Sequence, residues 1–173
     1  MQNSPLADEA PDDVPHEGYA LVRRVLAEQG HAQPPRWLTV PARTCQEAAD
    51  ALGVATGQIA KSVIFRRKAD DVAVLVVASG DLRVDERKVA ALVGPIGRAD
   101  AAFVKARTGF SIGGVSPVGH ATPPVTLLDR ELFRFETVWA AAGHPHGVFE
   151  ARPDDLQRLT GAPVVDVMQV PQA

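Results

Sequence analysis

Two neighbouring β-rich segments constrain the fold of this chain more than any other feature of its sequence. They cover residues 62–67 and 72–79, and only the charged turn 68–71 separates them. Apolar, β-branched runs on either side of a short turn predict a β-hairpin. A hairpin is therefore the simplest prediction for residues 62–79.

The segments on either side of this hairpin are short and of mixed type. Helices are favoured where a capping residue precedes a periodic apolar pattern, as at Asp85, at Asp100 and at the capping box of Thr44 and Glu47. Predicted helices cover residues 19–29, 44–53, 85–93, 100–107 and 153–160, and further strands cover 36–40, 125–128, 137–142, 148–150 and 164–167. Helices and strands alternate irregularly along 173 residues, which favours a single α+β domain over a doubly wound parallel sheet.

The first 18 residues differ from the rest of the chain in charge. They contain five acidic residues, three prolines and no lysine or arginine. This composition predicts a disordered acidic leader over residues 1–18, followed by one folded domain over 19–168 and a tail over 169–173. Residues 61–107 carry ten basic and six acidic side chains, which leaves a phosphate-bearing partner open.

Several function classes lack the residues that they need. No apolar run approaches 18 residues and no secretory signal begins the chain, so we expect a cytoplasmic protein without a membrane segment. Cys45 is the single cysteine, and the pair His144 and His146 has no cysteine beside it, so we expect no metal site. Ser116 is followed by Pro117, which has no N–H for the oxyanion hole of a serine hydrolase. Phosphate-binding and dinucleotide-binding motifs do not occur, and no cofactor is expected.

Two segments stand out as candidates for chemistry. In the first, Lys61 shares a strand face with Ile59, Val63 and Phe65, so it is either an edge residue reaching water or a cation at a pocket mouth. The second segment covers residues 108–119, where glycines allow backbone N–H groups to approach a ligand closely. Taken alone, this second segment could equally be an ordinary turn.

These segments belong to a longer ordered set of motifs, and with it the chain resembles the YbaK/EbsC-like domains, which are related to the editing insertion of bacterial prolyl-tRNA synthetases. The resemblance runs from about residue 19 to 168. The matching residues are Ile59-Ala60-Lys61-Ser62, Ala78-Ser79-Gly80-Asp81, Val84-Asp85 with Lys88, Thr108-Gly109-Phe110, Gly113-Gly114-Val115-Ser116-Pro117-Val118-Gly119, Leu128-Asp129 and Ala141-Ala142-Gly143.

The resemblance implies a compact, mixed, β-barrel-like sheet flanked by helices. It also implies a free-standing, metal-independent deacylase that hydrolyses the ester of mischarged tRNA, namely tRNA-Pro carrying a small wrong amino acid. Lys61 matches the essential lysine of the family, and the role of base, charge stabiliser or substrate anchor stays open for it. The expected partners are the 3′ end of aminoacyl-tRNA and a prolyl-tRNA synthetase. The residues expected to bind substrate are Gly113, Gly114, Val115, Ser116, Pro117, Phe65, Gly143 and His144.

The sequence leaves some alternatives open. A non-catalytic module of the same fold that binds tRNA or a synthetase is the second hypothesis, and a small-molecule hydrolase is the third. Esters of alanine, cysteine, serine and threonine are all candidate substrates. Arg66, Arg67 and Lys68 follow Lys61 closely and either meet tRNA phosphates or form a solvated hairpin turn.

Overall fold

The computed structural model describes residues 4–170. Within this range the chain forms five α-helices and one nine-stranded mixed sheet. The helices are α1 (Glu17–Glu28), α2 (Cys45–Leu52), α3 (Glu86–Val93), α4 (Ala101–Thr108) and α5 (Pro153–Thr160). The strands are β1 (Leu6–Ala7), β2 (Arg36–Leu38), β3 (Ile59–Arg67), β4 (Ala73–Ser79), β5 (Ile96–Arg98), β6 (Val125–Asp129), β7 (Val138–Ala141), β8 (Gly147–Ala151) and β9 (Val164–Val165).

The predicted hairpin lies in the middle of the sheet. β3 and β4 pair antiparallel over seven positions, from Ala60 opposite Ser79 to Arg66 opposite Ala73. The strand order is β1-β2-β8-β7-β3-β4-β6-β9, with β5 also paired to β3. The pairs β3–β7, β4–β6 and β6–β9 are parallel and the others are antiparallel. The mixed sheet and its helices confirm the predicted α+β fold class.

The hydrophobic core lies on both faces of β4, where all seven residues are buried. Leu75 and Val77 face one cluster, which also contains residues of α1, α4 and α5. Val74 and Val76 face a second cluster, which also contains Val89 of α3. Because successive side chains of a strand point to opposite faces, a strand covered on both sides reads as a continuous apolar run.

The helix ends follow the predicted caps. The Thr44 hydroxyl accepts a hydrogen bond from the Glu47 amide at 3.1 Å, and the Asp85 carboxylate accepts from the amides of Arg87 and Lys88. Gly53 closes α2 with a φ of 69°, a left-handed conformation that glycine adopts without strain. Within the described range, no helix has the length and apolar character needed to cross a membrane.

The structure differs from the prediction at the beginning of the chain. In place of a disordered leader, residues 4–18 hold β1, which pairs antiparallel with β2, and the first residues of α1. Ala10 and Val14 pack against the main core cluster, and this apolar contact holds the segment in place despite its acidic composition. Residues 1–3 of the predicted leader and 171–173 of the predicted tail lie outside the described residues.

The pairing of β3 leaves an opening in the sheet. On the side away from β4, β7 pairs with β3 only at Ile59 and Ala60, and β5 pairs only at residues 65–67. In the described chain no strand pairs with residues 61–64 on that side. The pairing with β7 ends before this stretch and the pairing with β5 begins after it, and the opening between them positions the candidate site.

Candidate functional site

A cavity of about 690 Å³ lies at the opening beside β3. Its volume falls in the usual range for small-molecule pockets. Its walls come from β3, α2, α4, β7 and β8 together with the glycine-rich loop that follows α4. The apolar wall residues include Ala48, Leu52, Val63, Ile64, Val104, Trp139 and Val148.

Lys61 lies on β3 within this opening and is exposed to solvent. It is the third residue of the strand, opposite Ala78 of β4, so the hairpin fixes its backbone. Cys45, in the first turn of α2, lies in the same wall. Burial raises the pKa of the Cys45 thiol, and the nearby charge of Lys61 offsets part of that rise. At neutral pH the thiol is therefore protonated beside a cation.

The glycine-rich loop covers another side of the cavity through Gly113 and Val115. Gly113 has a φ of 95°, which residues with a side chain rarely adopt. A Cβ at Gly114 would lie 2.8 Å from the backbone of His144, so the loop and the turn between β7 and β8 touch directly. The Gly114 amide donates to the Ser111 carbonyl at 3.1 Å, whereas the amides of Gly113 and Val115 donate to no acceptor within residues 4–170. Two residues of the cavity wall thus have backbone amides without an acceptor among the described residues.

Buried hydrogen bonds hold this loop from behind. The Ser116 hydroxyl accepts from the Val118 amide at 3.1 Å, and the His120 Nε2 donates to the Ser116 carbonyl at 2.6 Å. Because Nε2 carries the proton, the neutral ring has a bare Nδ1, and this atom is buried without a partner among the described residues. Burial lowers the pKa of His120, although its bond to Ser116 opposes that effect. The loop is thus supported by a buried histidine whose pKa lies below its ordinary value.

A second network fixes the end of β4 next to the cavity. Arg134 forms two hydrogen bonds to the Asp81 carboxylate, at 2.8 and 3.1 Å, and these hold the pKa of Asp81 below its ordinary value. The buried Ser79 hydroxyl donates to the Gly57 carbonyl at 2.6 Å. Gly80, which follows Ser79, lines the cavity. This network therefore holds one wall in place without contributing a charged group to the lining.

Lys61, the predicted catalytic residue, and the five substrate-binding residues predicted in the glycine-rich loop fall into two groups. Lys61, Gly113 and Val115 line the cavity. Gly114, Ser116 and Pro117 are buried in the loop behind that wall. The structure thus brings the predicted lysine and the predicted loop to one cavity, with part of the loop serving as its support.

Gly143 and His144 lie beside the cavity without lining it. A Cβ at Gly143 would overlap the backbone of Gly18, so this turn packs closely against the start of α1. The His144 ring packs on Trp37, with 4.6 Å between ring centroids. Burial lowers the pKa of His144. Pro145, between the two histidines, does line the cavity.

Phe65 does not lie where the sequence predicted a pocket wall. It shares a strand face with Lys61, as expected, but it packs in the second core cluster with Val74 and Val76. The opening beside β3 ends before Phe65 because β5 pairs with the strand there, opposite Arg98. The pocket wall is therefore corrected to the residues of β3 before Phe65.

The three basic residues at the end of β3 and the start of the hairpin turn lie away from the cavity lining. Arg66 forms a 2.7 Å ion pair with Asp71, and Arg67 forms two hydrogen bonds to Asp70. Lys68 is exposed. Both arginines thus have a carboxylate partner within the turn.

Several lining residues could not be identified from local sequence patterns. Arg43, Cys45 and Trp139 reach the cavity because α2 and β7 pack beside β3, which is a consequence of the tertiary fold. Within the described residues no aspartate, glutamate or histidine lines the cavity, and no group of three or more potential metal ligands occurs. The lining therefore offers cations, a thiol, hydroxyls, amides and apolar surface.

Comparisons with known proteins identify the family. The model of the aminoacyl-tRNA editing domain matches residues 39–159, more than half of the chain. The uncharacterized protein YwhH of Bacillus subtilis (strain 168) is 38% identical over 126 residues, covering 72% of this chain and 80% of that protein.

Solved structures agree with this match. The crystal structure of "a putative trans-editing enzyme for prolyl tRNA synthetase" superposes with a TM-score of 0.84 at 39% identity, covering 91% of this chain and all of that one. The crystal structure of "hypothetical protein APE2540" gives a TM-score of 0.80 at 32% identity, covering 86% of this chain and 99% of that one. These matches confirm the YbaK-like resemblance: the chain belongs to the aminoacyl-tRNA editing domain family.

Proposed function

We propose that this chain is a free-standing deacylase that hydrolyses the ester linking a wrong amino acid to the 3′ end of tRNA. The substrate we favour is tRNA-Pro carrying a small wrong amino acid, because one structural relative is described as "a putative trans-editing enzyme for prolyl tRNA synthetase". The observation that carries the proposal is that Lys61 and the glycine-rich loop line one cavity. We place the activity in the cytoplasm, with charged tRNA and a prolyl-tRNA synthetase as partners.

The proposed chemistry needs no strong nucleophile. Water attacks the ester carbonyl, the bond from that carbon to the ribose oxygen breaks, and the products are a free amino acid and a tRNA with a free hydroxyl. The unpaired amides of Gly113 and Val115 are donors suited to the oxyanion that develops, where one donor is typically worth about 3 kcal/mol. The positive charge of Lys61 can stabilise the same oxyanion or anchor the ribose or phosphate of the substrate.

The cavity also supports a selection step. Much of its wall is apolar, with Leu52, Val104 and Trp139 among the lining side chains. A synthetic site cannot fully reject a smaller or near-isosteric amino acid, so a second pocket that accepts the wrong residue raises accuracy. Alanine, cysteine, serine and threonine all remain candidates for the amino acid in this pocket.

One feature of the site favours the second hypothesis, a non-catalytic module that binds tRNA or a synthetase. The cavity lining contains no carboxylate or imidazole among the described residues, and these are the commonest general bases. A pocket without a base could bind the 3′ end of tRNA and release it unchanged.

A panel of charged tRNAs separates the two functions. Purified protein is incubated with tRNA-Pro that carries proline, alanine, cysteine, serine or threonine, and ester loss is followed with time. The deacylase predicts rapid loss of at least one wrong amino acid while prolyl-tRNA is spared. Binding of these tRNAs with every ester stable for hours would reject the deacylase and favour the binding module.

A further inference from the structure

A second depression on the surface is lined by three arginines. It has a volume of about 310 Å³, and we call it the arginine groove; its lining residues are Arg66, Asp71, Arg98, Asp100, Phe103 and Arg107. We infer that the arginine groove binds backbone phosphates of the RNA strand that leads to the 3′ end held in the cavity. This inference rests on the proposed function, since it supplies a further binding surface for the same substrate.

The groove and the cavity are lined by neighbouring residues of the same three segments. On β3, Ile64 lines the cavity and Arg66 lines the groove. Ala99 lines the cavity directly after Arg98, and α4 contributes Val104 to the cavity. The same helix supplies Phe103 and Arg107 to the groove. We therefore expect an RNA strand that leaves the cavity between β3 and α4 to reach these arginines.

The carboxylates of the groove already have partners. Asp71 pairs with Arg66 at 2.7 Å, and Asp100 accepts a hydrogen bond from the Phe103 amide at 2.8 Å as the cap of α4. Arg98 and Arg107 form no ion pair within residues 4–170. Two arginine charges are thus available to an anion from outside the chain.

The arrangement is partly organised before any ligand binds. The Arg107 guanidinium lies 5.5 Å from the centre of the Phe103 ring, which restricts the arginine and lowers the entropy lost on binding. Guanidinium groups suit phosphate because their planar set of N–H donors matches two oxygens at once. Phe103 is half-buried, so part of the ring is also open to a base.

The distance to the cavity suits the end of a tRNA. Arg66 follows Lys61 by five residues along β3, a span of about 17 Å at the usual rise of a strand. That span corresponds to about five nucleotides at a stacked spacing of about 3.4 Å along one strand. The phosphates expected at the groove are therefore those where the single-stranded 3′ end meets the acceptor stem.

The test measures binding of an RNA hairpin that copies the acceptor stem, ends in CCA and carries no amino acid. Fluorescence anisotropy compares the wild type with the double variant Arg98→Gln and Arg107→Gln over a range of salt concentrations. A matched double variant, Arg83→Gln and Arg87→Gln, removes the same charge from two exposed arginines, one shortly before α3 and one in its first turn. Circular dichroism and thermal unfolding confirm that both variants are folded.

We expect the groove variant to bind the hairpin at least about tenfold more weakly at 0.1 M salt, with a salt slope less steep by about 1.4, because two phosphate contacts are lost. The matched variant should bind like the wild type. Equal affinity of the groove variant and the wild type, equal weakening of both variants, or no binding by the wild type at low salt would each overturn the inference. The hairpin carries no amino acid, so this test of binding does not depend on ester hydrolysis. If the protein binds the hairpin through the groove but cleaves no ester in the panel of charged tRNAs, the deacylase is rejected and the inference about the groove is kept.

Discussion

Gly114 is the residue at which the glycine-rich loop and the turn between β7 and β8 come closest. Its missing side chain lets the loop lie against the backbone of His144, and this contact places Gly113 and Val115 at the cavity wall. The structural role of Gly114 is therefore close packing, whereas Gly113 provides an unusual backbone angle. Both roles set the position of the amides on which the proposed chemistry depends.

The substitution Gly114→Ala tests this close approach. A Cβ there would lie 2.8 Å from backbone atoms that cannot move aside easily, so we expect a loss of about 1–3 kcal/mol in the free energy of unfolding and a large loss of deacylation. Urea denaturation measures the first effect. The matched control is Gly97→Ala, where the nearest atom is the flexible Cε of Lys68 at 3.3 Å. Equal stability of the two variants would contradict the proposed packing.

His120 predicts a pH dependence of stability. Its pKa in the folded chain is lowered by burial, so below the unfolded value of about 6.5 the unfolded chain binds more protons than the folded one. The contribution of His120 to the free energy of unfolding should therefore be fully present above that value, and the free energy of unfolding should fall as the pH decreases from 7 to 5. His120→Gln keeps a donor for the Ser116 carbonyl and removes the titration, so its stability should fall less over that range. Some dependence should remain, because the pKa of His144 is lowered too. Parallel pH curves for wild type and variant would contradict this assignment.

At the scale of elements, the sequence predicted those whose ends carry their own signals. Thr44 caps α2 and Asp85 caps α3 through their side chains, and both helices end before a glycine. β1 and β5 were missed because two or three residues carry no periodic pattern. They form because β2 and β3 each present an edge with which they can pair.

The cap of α3 gives a direct test of this local reasoning. Asp85→Ala removes the acceptor for the amides of Arg87 and Lys88, so the free energy of unfolding should fall by about 1 kcal/mol. Asp85→Asn keeps an acceptor oxygen and should cost much less. Urea denaturation of the three proteins provides the comparison, and an equal cost for both variants would mean that the charge, rather than the cap, matters.

The beginning of the chain tests whether apolar packing orders this segment despite its acidic composition. Removing residues 1–10 deletes β1 and the apolar contact of Ala10 with the core, so the unfolding midpoint should fall by several degrees. Asp8→Asn, which removes only the exposed ion pair with Arg36, should change it little. An unchanged midpoint after the deletion would restore the prediction of a disordered leader.

At the scale of the whole molecule, the site exists because neither β5 nor β7 pairs with residues 61–64 of β3. Sequence motifs identified Lys61 and the loop, since both carry residue types with a specific local role. The walls from α2 and β7 could not be predicted in this way, because Cys45 and Trp139 meet the cavity only after the sheet has assembled. The same reason explains Phe65: its strand face was predicted correctly, but the limit of the opening is set by β5.

The proposed function requires Lys61 and the loop amides to act on one ester, and single-turnover deacylation measures the part that Lys61 plays. The substrate is the mischarged tRNA that the panel identifies, and the proteins are the wild type, Lys61→Ala and Arg87→Ala, which removes an exposed charge on α3. We expect a rate at least about a hundredfold lower for Lys61→Ala, as for the loss of one group that stabilises an oxyanion, and an unchanged rate for Arg87→Ala. A Lys61→Ala protein that hydrolyses the ester at the wild-type rate would show that Lys61 takes no part in the reaction.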